Sequence, residues 1–356
     1  MKSLVRESVS ISINGVPIGR AHRPYVLAEI GINHGGDVAL AEKMILAAAE
    51  SGADGVKFQT FRADDLVNRA KAPDQWEIFA RCELDRDAHA HLRHVALEKG
   101  LAFISTPFSF RDVDLLAGIG VPAVKIASGD LTNHPLLGYV SRLKLPVILS
   151  TGMSYLDEVR SSRKLLLDSG CPSVVILHCV SRYPTQPHEL NLGAIEVLCS
   201  EFPDTIGFSD HTEGTWAAPA AVALGARFIE KHFTLDRKMP GPDHALSAEP
   251  HELRAIVEAS RNVFDSLGSG AKEPSELELK NRHLGRKGLY ASRLIEVGET
   301  IGPDDLKILR PEGEIKAADL PMVVGLKASR EIREGEALTW RALGKSRLKS
   351  NGPGGH

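Results

Sequence analysis

VLAEIGINHGGDVALAEKMILAAAESGADGVKFQ, residues 26–59, carries two short apolar runs, VLAEI and GVKFQ, around a segment whose apolar residues recur at helical spacing. Gly52 stands where that helix would end, a position that favours a residue tolerant of left-handed backbone. The unit reads strand, helix, strand. Six further runs follow: AFISTP (102–107), AVKIAS (123–128), PVILST (146–151), VVILHC (174–179), TIGFSD (205–210) and RFIEKHF (227–233). Helical patterns such as FRDVDLLAGIG, SYLDEVRSSRKLLLDSG and TWAAPAAVALGA separate them. Strands that are apolar on both faces need cover on both, which predicts a parallel sheet sheathed by helices. Eight repeats across residues 26–260 favour closure into a (β/α)8 TIM barrel over an open doubly wound sheet.

The flanks differ in character. SISINGVPIG sets Asn14-Gly15 between alternating segments, a hairpin signal placed to plug the barrel floor. Residues 265–283 are polar and broken by Gly and Pro. Beyond them, ASRLIEVGETI and ASREIREGEAL resemble each other, which predicts a small β-rich domain with an internal repeat. We therefore divide the chain into a hairpin (1–20), a barrel (21–265), a linker (266–285), a small β-rich domain (286–347) and a disordered tail (348–356).

Composition excludes several classes. The 356 residues are 43% hydrophobic and 25% charged, with a net charge of -3, so no basic surface for nucleic acid is expected. No run approaches the roughly 18 apolar residues of a membrane span. The four cysteines form no CxxC pair and the N-terminus has no apolar signal core, which predicts a reduced, cytoplasmic setting.

Functional groups of a (β/α)8 barrel gather at the C-terminal ends of its strands. That rule selects Glu29, Asn33 and His34 after the first strand, Lys57 and Gln59 on the second, and Ser105 and Thr106 on the third. It adds Lys125, Ser128 and Asp130 from the fourth, Thr151 from the fifth, and His178 and Ser181 from the sixth. The seventh gives Ser209, Asp210 and His211, the eighth Glu230, Lys231 and His232. Any one of these alone is more readily a paired charge or a satisfied core side chain; convergence from eight strands points to a site.

Lys57 and Lys125, two strands apart with Thr106 between, suit a phosphate or carboxylate anion. The competing reading is a Schiff-base lysine in a pyruvate lyase. His211 and His232 end adjacent strands and can converge on one openly coordinated Mn2+, Mg2+, Co2+ or Zn2+, completed by Glu29, water or substrate. A closed structural zinc site is excluded by the lack of a cysteine cluster. Strand alternation puts Glu230 and His232 on the inner side and Lys231 outside, with Glu230 free to orient a neighbouring ligand.

AEIGINHGGD (28–37), VKFQTF (56–61), ISTPF (104–108), VKIASGD (124–130), STGM (150–153), GFSDHTEG (207–214) and EKHFTLDRKMPGPDH (230–244) together resemble the sialic acid synthases. Those enzymes condense phosphoenolpyruvate with an N-acylated amino sugar, and the resemblance runs over about residues 20–345. It implies a C-terminal antifreeze-like (SAF) domain around ILRPEGEI; a non-catalytic ligand- or ice-binding protein is the reading from another class, and rests on that domain alone. By the resemblance, phosphoenolpyruvate would be held by Lys57, Thr106, Lys125, Ser128, Ser181 and Ser209. A metal, Mn2+ or Mg2+, would be held by His211 and His232, with Glu29 beside the reacting carbons. Gln59, Tyr183 and Asp243 would face the sugar, and Arg310 would arrive from the partner of a domain-swapped homodimer. Asp130 stands where relatives carry Glu or Asp and is a candidate base or sugar contact. RADDLVNRAKAPDQWEIFARCEL, after the second strand, looks shorter than in some neuraminate-forming relatives and lacks an obvious counterpart to a sugar-binding Asn there. N-acetylmannosamine is the default acceptor, and a diacetamido sugar leading to legionaminic acid the alternative. A 6-phosphorylated sugar would need a further cation near its far end.

Overall fold

The computed structural model describes residues 10–346, which form two compact units divided after Ser269. In the first, eight parallel strands close into a barrel: β1 (Tyr25–Gly31), β2 (Gly55–Thr60), β3 (Ala102–Pro107), β4 (Val124–Ile126), β5 (Val147–Ser150), β6 (Val174–Cys179), β7 (Thr205–Asp210) and β8 (Phe228–His232). β8 closes the ring on β1, with Phe228 opposite Tyr25 and His232 opposite Glu29. Each expected strand is present. β4 is the shortest because the chain leaves it at once for a 3-10 turn, Ser128–Asp130.

Alternation sorts every strand into two chemistries. Outward residues such as Val26, Val56, Phe103, Ile176 and Ile229 pack on the helical sheath as one apolar layer. Inward residues at the lower end, among them Tyr25, Leu27, Ile104, Ile148, Val175 and Phe228, fill the barrel and are joined by Ile11, Ile13 and Ile18. Those three isoleucines come from the hairpin Ile11–Ile13 and Val16–Ile18, turned at Asn14-Gly15, where both residues have positive φ. Burying each is worth about 1.5–3 kcal/mol, so the hairpin is held by its inward face. Above this layer the inward positions turn polar, and the site begins.

Between β2 and β3 lie three helices, Ala63–Leu66, Pro73–Arg81 and Arg86–Glu98. Asp85 caps the last, accepting from the Ala88 amide.

The second unit is described by itself. Gly288–Ala291 pairs antiparallel with Leu306–Leu309, over a core that includes Leu289, Ile295, Ile301, Ile332 and Trp340. The internal repeat is real in three dimensions: Ile295 and Ile332 exchange backbone hydrogen bonds of 2.9 and 3.0 Å. Arg293 pairs with Glu299 as Arg330 pairs with Glu336. The stretch 266–285, expected as a linker, contains a helix, Glu276–Gly285, because Ser275 and Glu278 form a capping box that satisfies its first turn. The tail expected over 348–356 lies outside the described residues.

Candidate active site

The polar inward layer lines a cavity of about 520 Å³ at the C-terminal mouth of the barrel. Glu29, Lys57, Gln59, Thr106, Lys125, Ser128, Ser181, Tyr183, Ser209, His211, His232 and Asp243 all face it, so the residues that the family resemblance implies for the first unit converge, with one exception. Asp130 is not among the lining residues. Its carboxylate sits in the 3-10 turn and accepts from Asn133 Nδ2 at 3.0 Å, which answers the expectation of a base at the reaction centre with a local turn contact. Arg310 belongs to the second unit, where it is exposed just after the strand Leu306–Leu309.

Two buried lysines and two buried carboxylates form the floor. Lys57 Nζ lies 2.9 Å from Glu29 Oε1 and 3.6 Å from Glu230 Oε2, and Lys125 Nζ lies 3.5 Å from Glu230 Oε1. Lys57 also donates to Thr106 Oγ1 at 3.3 Å, and Ser209 donates to Glu230 Oε1 at 2.8 Å. Glu230 thus ties both lysines together, a larger part than the neighbour-orienting one expected of it.

The two carboxylates differ. Burial pushes the Glu29 carboxyl up to about 7 against the pull of Lys57. Burial acts on Glu230 as well, but Lys125, Lys57 and the Ser209 hydroxyl outweigh it and hold that carboxyl well below the usual range. The lysines differ for the same reason. Burial lowers Lys125, which has one carboxylate beside it, whereas Lys57 has two and is raised despite burial.

Beside this floor lies a hydroxyl cradle. The Gly152 amide donates to Ser128 Oγ at 3.0 Å, and a Cβ on Gly152 would fall 2.3 Å from Ser181 Oγ and 2.8 Å from Ser128 Oγ. Ser150 lines the cavity and its Oγ is buried without a partner. Alternation explains why Ser150 and not the expected Thr151 serves here: Thr151 points outward and donates to Leu177 O at 2.9 Å. The same rule removes other expected strand-end residues. Ser105 bonds Thr60 outside the barrel, His178 bonds Leu190 O, and Lys231 pairs with Asp210 at 3.0 Å. Asn33 donates to Phe233 O and Ser247 Oγ, and His34 accepts from the Gly36 amide, so both are structural.

Above the floor the rings of His211 and His232 lie 5.4 Å apart, with Tyr183 4.2 Å from His211. His211 Nδ1 carries a hydrogen, because it contacts the Val180 carbonyl at 2.8 Å; burial pulls this ring down, but Cys179 and that carbonyl outweigh it and raise His211 above its ordinary value. His232 Nδ1 is buried with no hydrogen-bond partner and lies 4.0 Å from Asp243 Oδ2. Burial, then His211 and Lys57, keeps His232 neutral by lowering it well below its ordinary value. The two imidazoles, at the ends of adjacent strands, are a donor pair that fits a divalent ion with positions left open for substrate. Among the described residues no group of three or more His, Cys, Asp or Glu is placed to hold a metal ion, so the protein's own donors to such an ion would be the histidine pair. Gly31, at φ 56, keeps this corner open: a Cβ there would lie 3.0 Å from Glu29 Oε1.

A closed (β/α)8 barrel with buried lysines, a hydroxyl cradle and a histidine pair at its catalytic end defines an enzyme built to handle an anion. The chain belongs to the NeuB family, whose model matches residues 44–272, and a SAF domain model matches residues 286–343. It is 40% identical over 348 residues to the N,N'-diacetyllegionaminic acid synthase of Legionella pneumophila, covering 93% of this chain and 98% of that one. It is 40% identical over 327 residues to the synthase of the same name from Campylobacter jejuni, covering 88% and 98%. The crystal structure of an N-acetylneuraminic acid (sialic acid) synthetase from Leptospira borgpetersenii superposes with a TM-score of 0.74 at 35% identity, over 77% of this chain and 95% of that one. No helix among the described residues is long and apolar enough to cross a membrane.

Proposed function

We propose that this protein is a transferase that joins phosphoenolpyruvate to the aldehyde of an N-acylated amino sugar, with water, to give a nonulosonic acid and phosphate. The observation that carries the reading is the paired-lysine floor beside the hydroxyl cradle, under the histidine pair, in one cavity. Lys57 and Lys125 supply charge for the carboxylate and phosphate, and Ser128, Ser150, Ser181 and Ser209 supply hydroxyl donors. Fixing so highly charged a substrate beside its acceptor is worth several kcal/mol of the barrier.

His211 and His232 would hold a divalent metal, Mn2+ or Mg2+ with Co2+ as a further candidate, which when bound supplies Lewis-acid polarisation of the aldehyde oxygen. The enol carbon C3 of phosphoenolpyruvate then forms the new bond to the aldehyde carbon, and positive charge develops at C2. Water adds to C2. Glu29, whose carboxyl sits near 7, is suited to take the proton from that water. The tetrahedral centre expels phosphate by C–O cleavage and becomes the ketone of the 2-keto acid.

N-acetylmannosamine is the simplest acceptor. The second reading is 2,4-diacetamido-2,4,6-trideoxymannose, favoured by the 40% identity to proteins named N,N'-diacetyllegionaminic acid synthase. The proposal includes a homodimer in which Arg310 reaches the partner's sugar, and Arg310 is exposed on its own unit. EDTA should abolish phosphate release and Mn2+ restore it, with His211→Ala and His232→Ala each losing orders of magnitude in rate; full activity after metal removal would refute the metal's role. Lys125, lowered by burial, keeps a Schiff-base lyase as the rival. Borohydride trapping of pyruvate on Lys57 or Lys125 would favour that rival.

A further inference from the structure

Behind the anion floor, on the helical side of the sheet, runs a buried polar chain that does not reach the cavity. Along β2 and β3, residues that face the cavity alternate with residues that face the helices, so Thr60 follows Gln59 and Ser105 precedes Thr106. The hydroxyl oxygens of Thr60 and Ser105 lie 2.7 Å apart, and Thr60 Oγ1 lies 2.8 Å from Nε2 of His89, on the helix Arg86–Glu98. All three side chains are buried. Their hydrogens can be placed from one end. His89 Nδ1 lies 2.8 Å from the Asp85 carbonyl oxygen and so carries a hydrogen, while burial lowers the ring and keeps it neutral. Its Nε2 is then a lone pair that takes the one hydroxyl hydrogen of Thr60, and Ser105 in turn donates to Thr60.

The chain is set in hydrocarbon. Phe58 and Phe103 stack with centroids 5.0 Å apart on the same side of the sheet, His89 meets Phe103 edge-on at 6.4 Å, and Leu92 and Val95 of its own helix are buried in that layer. Replacing a hydrogen-bonded set as a whole by apolar groups of the same shape is close to neutral for stability, so stability alone gives no reason for these three polar groups. What they add is direction. Each link fixes a distance and an angle, and a fully satisfied buried network is rigid. The strand register carries that rigidity to the other face. Gln59 lies opposite Thr106, and Pro107, opposite Thr60, has no amide hydrogen to give to the ladder, so the hydroxyl link braces the two strand ends where the backbone pairing weakens. On the inner face of the same two strands Lys57 Nζ donates to Thr106 Oγ1 at 3.3 Å.

On the condensation reading, on which this rests, we infer that His89 is a positioning residue: acting through Thr60 and Ser105, it holds Thr106 against Lys57 and sets the spacing of the anion floor. A displacement of about 1 Å caused by a change remote from the chemistry can cost about 100-fold, so a break in the chain should be felt by the anion. The test measures, on the full chain, the Kd for phosphoenolpyruvate by titration calorimetry, together with the KM for phosphoenolpyruvate and for whichever N-acylated amino sugar drives phosphate release. His89→Leu should raise both phosphoenolpyruvate constants by about 10-fold or more and leave the KM for the sugar within about threefold. His89→Gln, whose amide oxygen can still accept from Thr60, should stay within about threefold of the parent on every constant. In a Thr106→Ala background His89→Leu should add less than about twofold, because the contact it positions is already gone. Ser105→Ala removes the link nearest Thr106 without touching the helix; it should weaken phosphoenolpyruvate binding by about 3–10-fold and keeps the test open if His89→Leu does not fold. An unchanged Kd in Ser105→Ala or in folded His89→Leu, equal losses for both substrates, His89→Gln as impaired as His89→Leu, or full additivity with Thr106→Ala would overturn the inference. A parent that neither binds phosphoenolpyruvate nor releases phosphate from it fails at the condensation reading and takes the inference with it, whereas failure of the inference alone shows only in the variants.

Discussion

Replacing Lys231 with Met tests whether strand alternation accounts for the charged triplet that ends β8. Lys231 Nζ lies 3.0 Å from Asp210 Oδ2, with side chains 1% and 0% exposed, and it also donates to Thr212 O. Asp210 Oδ1 accepts from the Thr212 amide and hydroxyl, each at 2.8 Å. Removing the ammonium leaves a buried carboxylate with two donors and no counter-charge. Breaking a buried pair in this way costs about 3–5 kcal/mol, and the two surviving donors put the expectation near the lower end. At roughly 2–4 °C per kcal/mol for a unit of this size, about 3 kcal/mol lowers the melting temperature by about 6–12 °C. The double variant Asp210→Asn/Lys231→Met removes the stranded charge and should return to within about 1 kcal/mol of the parent. Urea unfolding followed by circular dichroism, with the slope checked for constancy, measures both. A loss below about 1 kcal/mol in Lys231→Met, or a loss of turnover with stability intact, would refute the outward, structural role.

Four further outcomes follow from the site. The carboxyl of Glu29 is raised to about 7, so the base form is lost below that pH; kcat/KM should fall on an acid limb near 7 that vanishes in Glu29→Gln. The sign for stability is opposite to that of an ordinary salt-bridged carboxylate: the folded state holds a proton that the unfolded state has released, so stability falls as pH rises from about 4.5 through about 7, and Glu29→Gln flattens that slope in urea melts. Lys125→Met should raise the KM for phosphoenolpyruvate by about 10–150-fold, the loss of one charged hydrogen bond of about 1.5–3 kcal/mol, and an unchanged KM in steady-state assays would remove Lys125 from the anion site. Gly152→Ala, whose methyl would crowd Ser181 Oγ and Ser128 Oγ, should raise the same KM about 10-fold or more, and tight binding retained in that variant would contradict the cradle.

Much of this was legible in the chain. The strand-helix-strand reading of residues 26–59 repeats eight times, and the apolar strands left little choice but a parallel barrel. Strand-end polarity located the site, because an inward residue in the upper layer has nowhere to point but the cavity. What was missed follows from alternation applied incompletely. Ser150 was passed over for its outward neighbour Thr151, and Glu230 was given a minor part although it lies two residues from His232 on the same face. Gln75, Ile78 and Phe79, on the helix Pro73–Arg81, also line the cavity and were hidden for another reason. That helix has no buried stripe to give it a core-facing period, and nothing local says that its apolar residues face a ligand. Asp130 lies off the cavity lining for a reason no strand pattern carries, since one turn of 3-10 helix places its carboxylate against Asn133.

The most direct measurement places ¹⁸O in the oxygen that bridges C2 and phosphorus of phosphoenolpyruvate and follows it by mass spectrometry. With Mn2+ and an N-acylated amino sugar, the account predicts that the label leaves in inorganic phosphate, in step with a nonulosonic acid whose new C2 oxygen comes from water. Unlabelled phosphate, or no phosphate release with any N-acylated amino sugar, would contradict it.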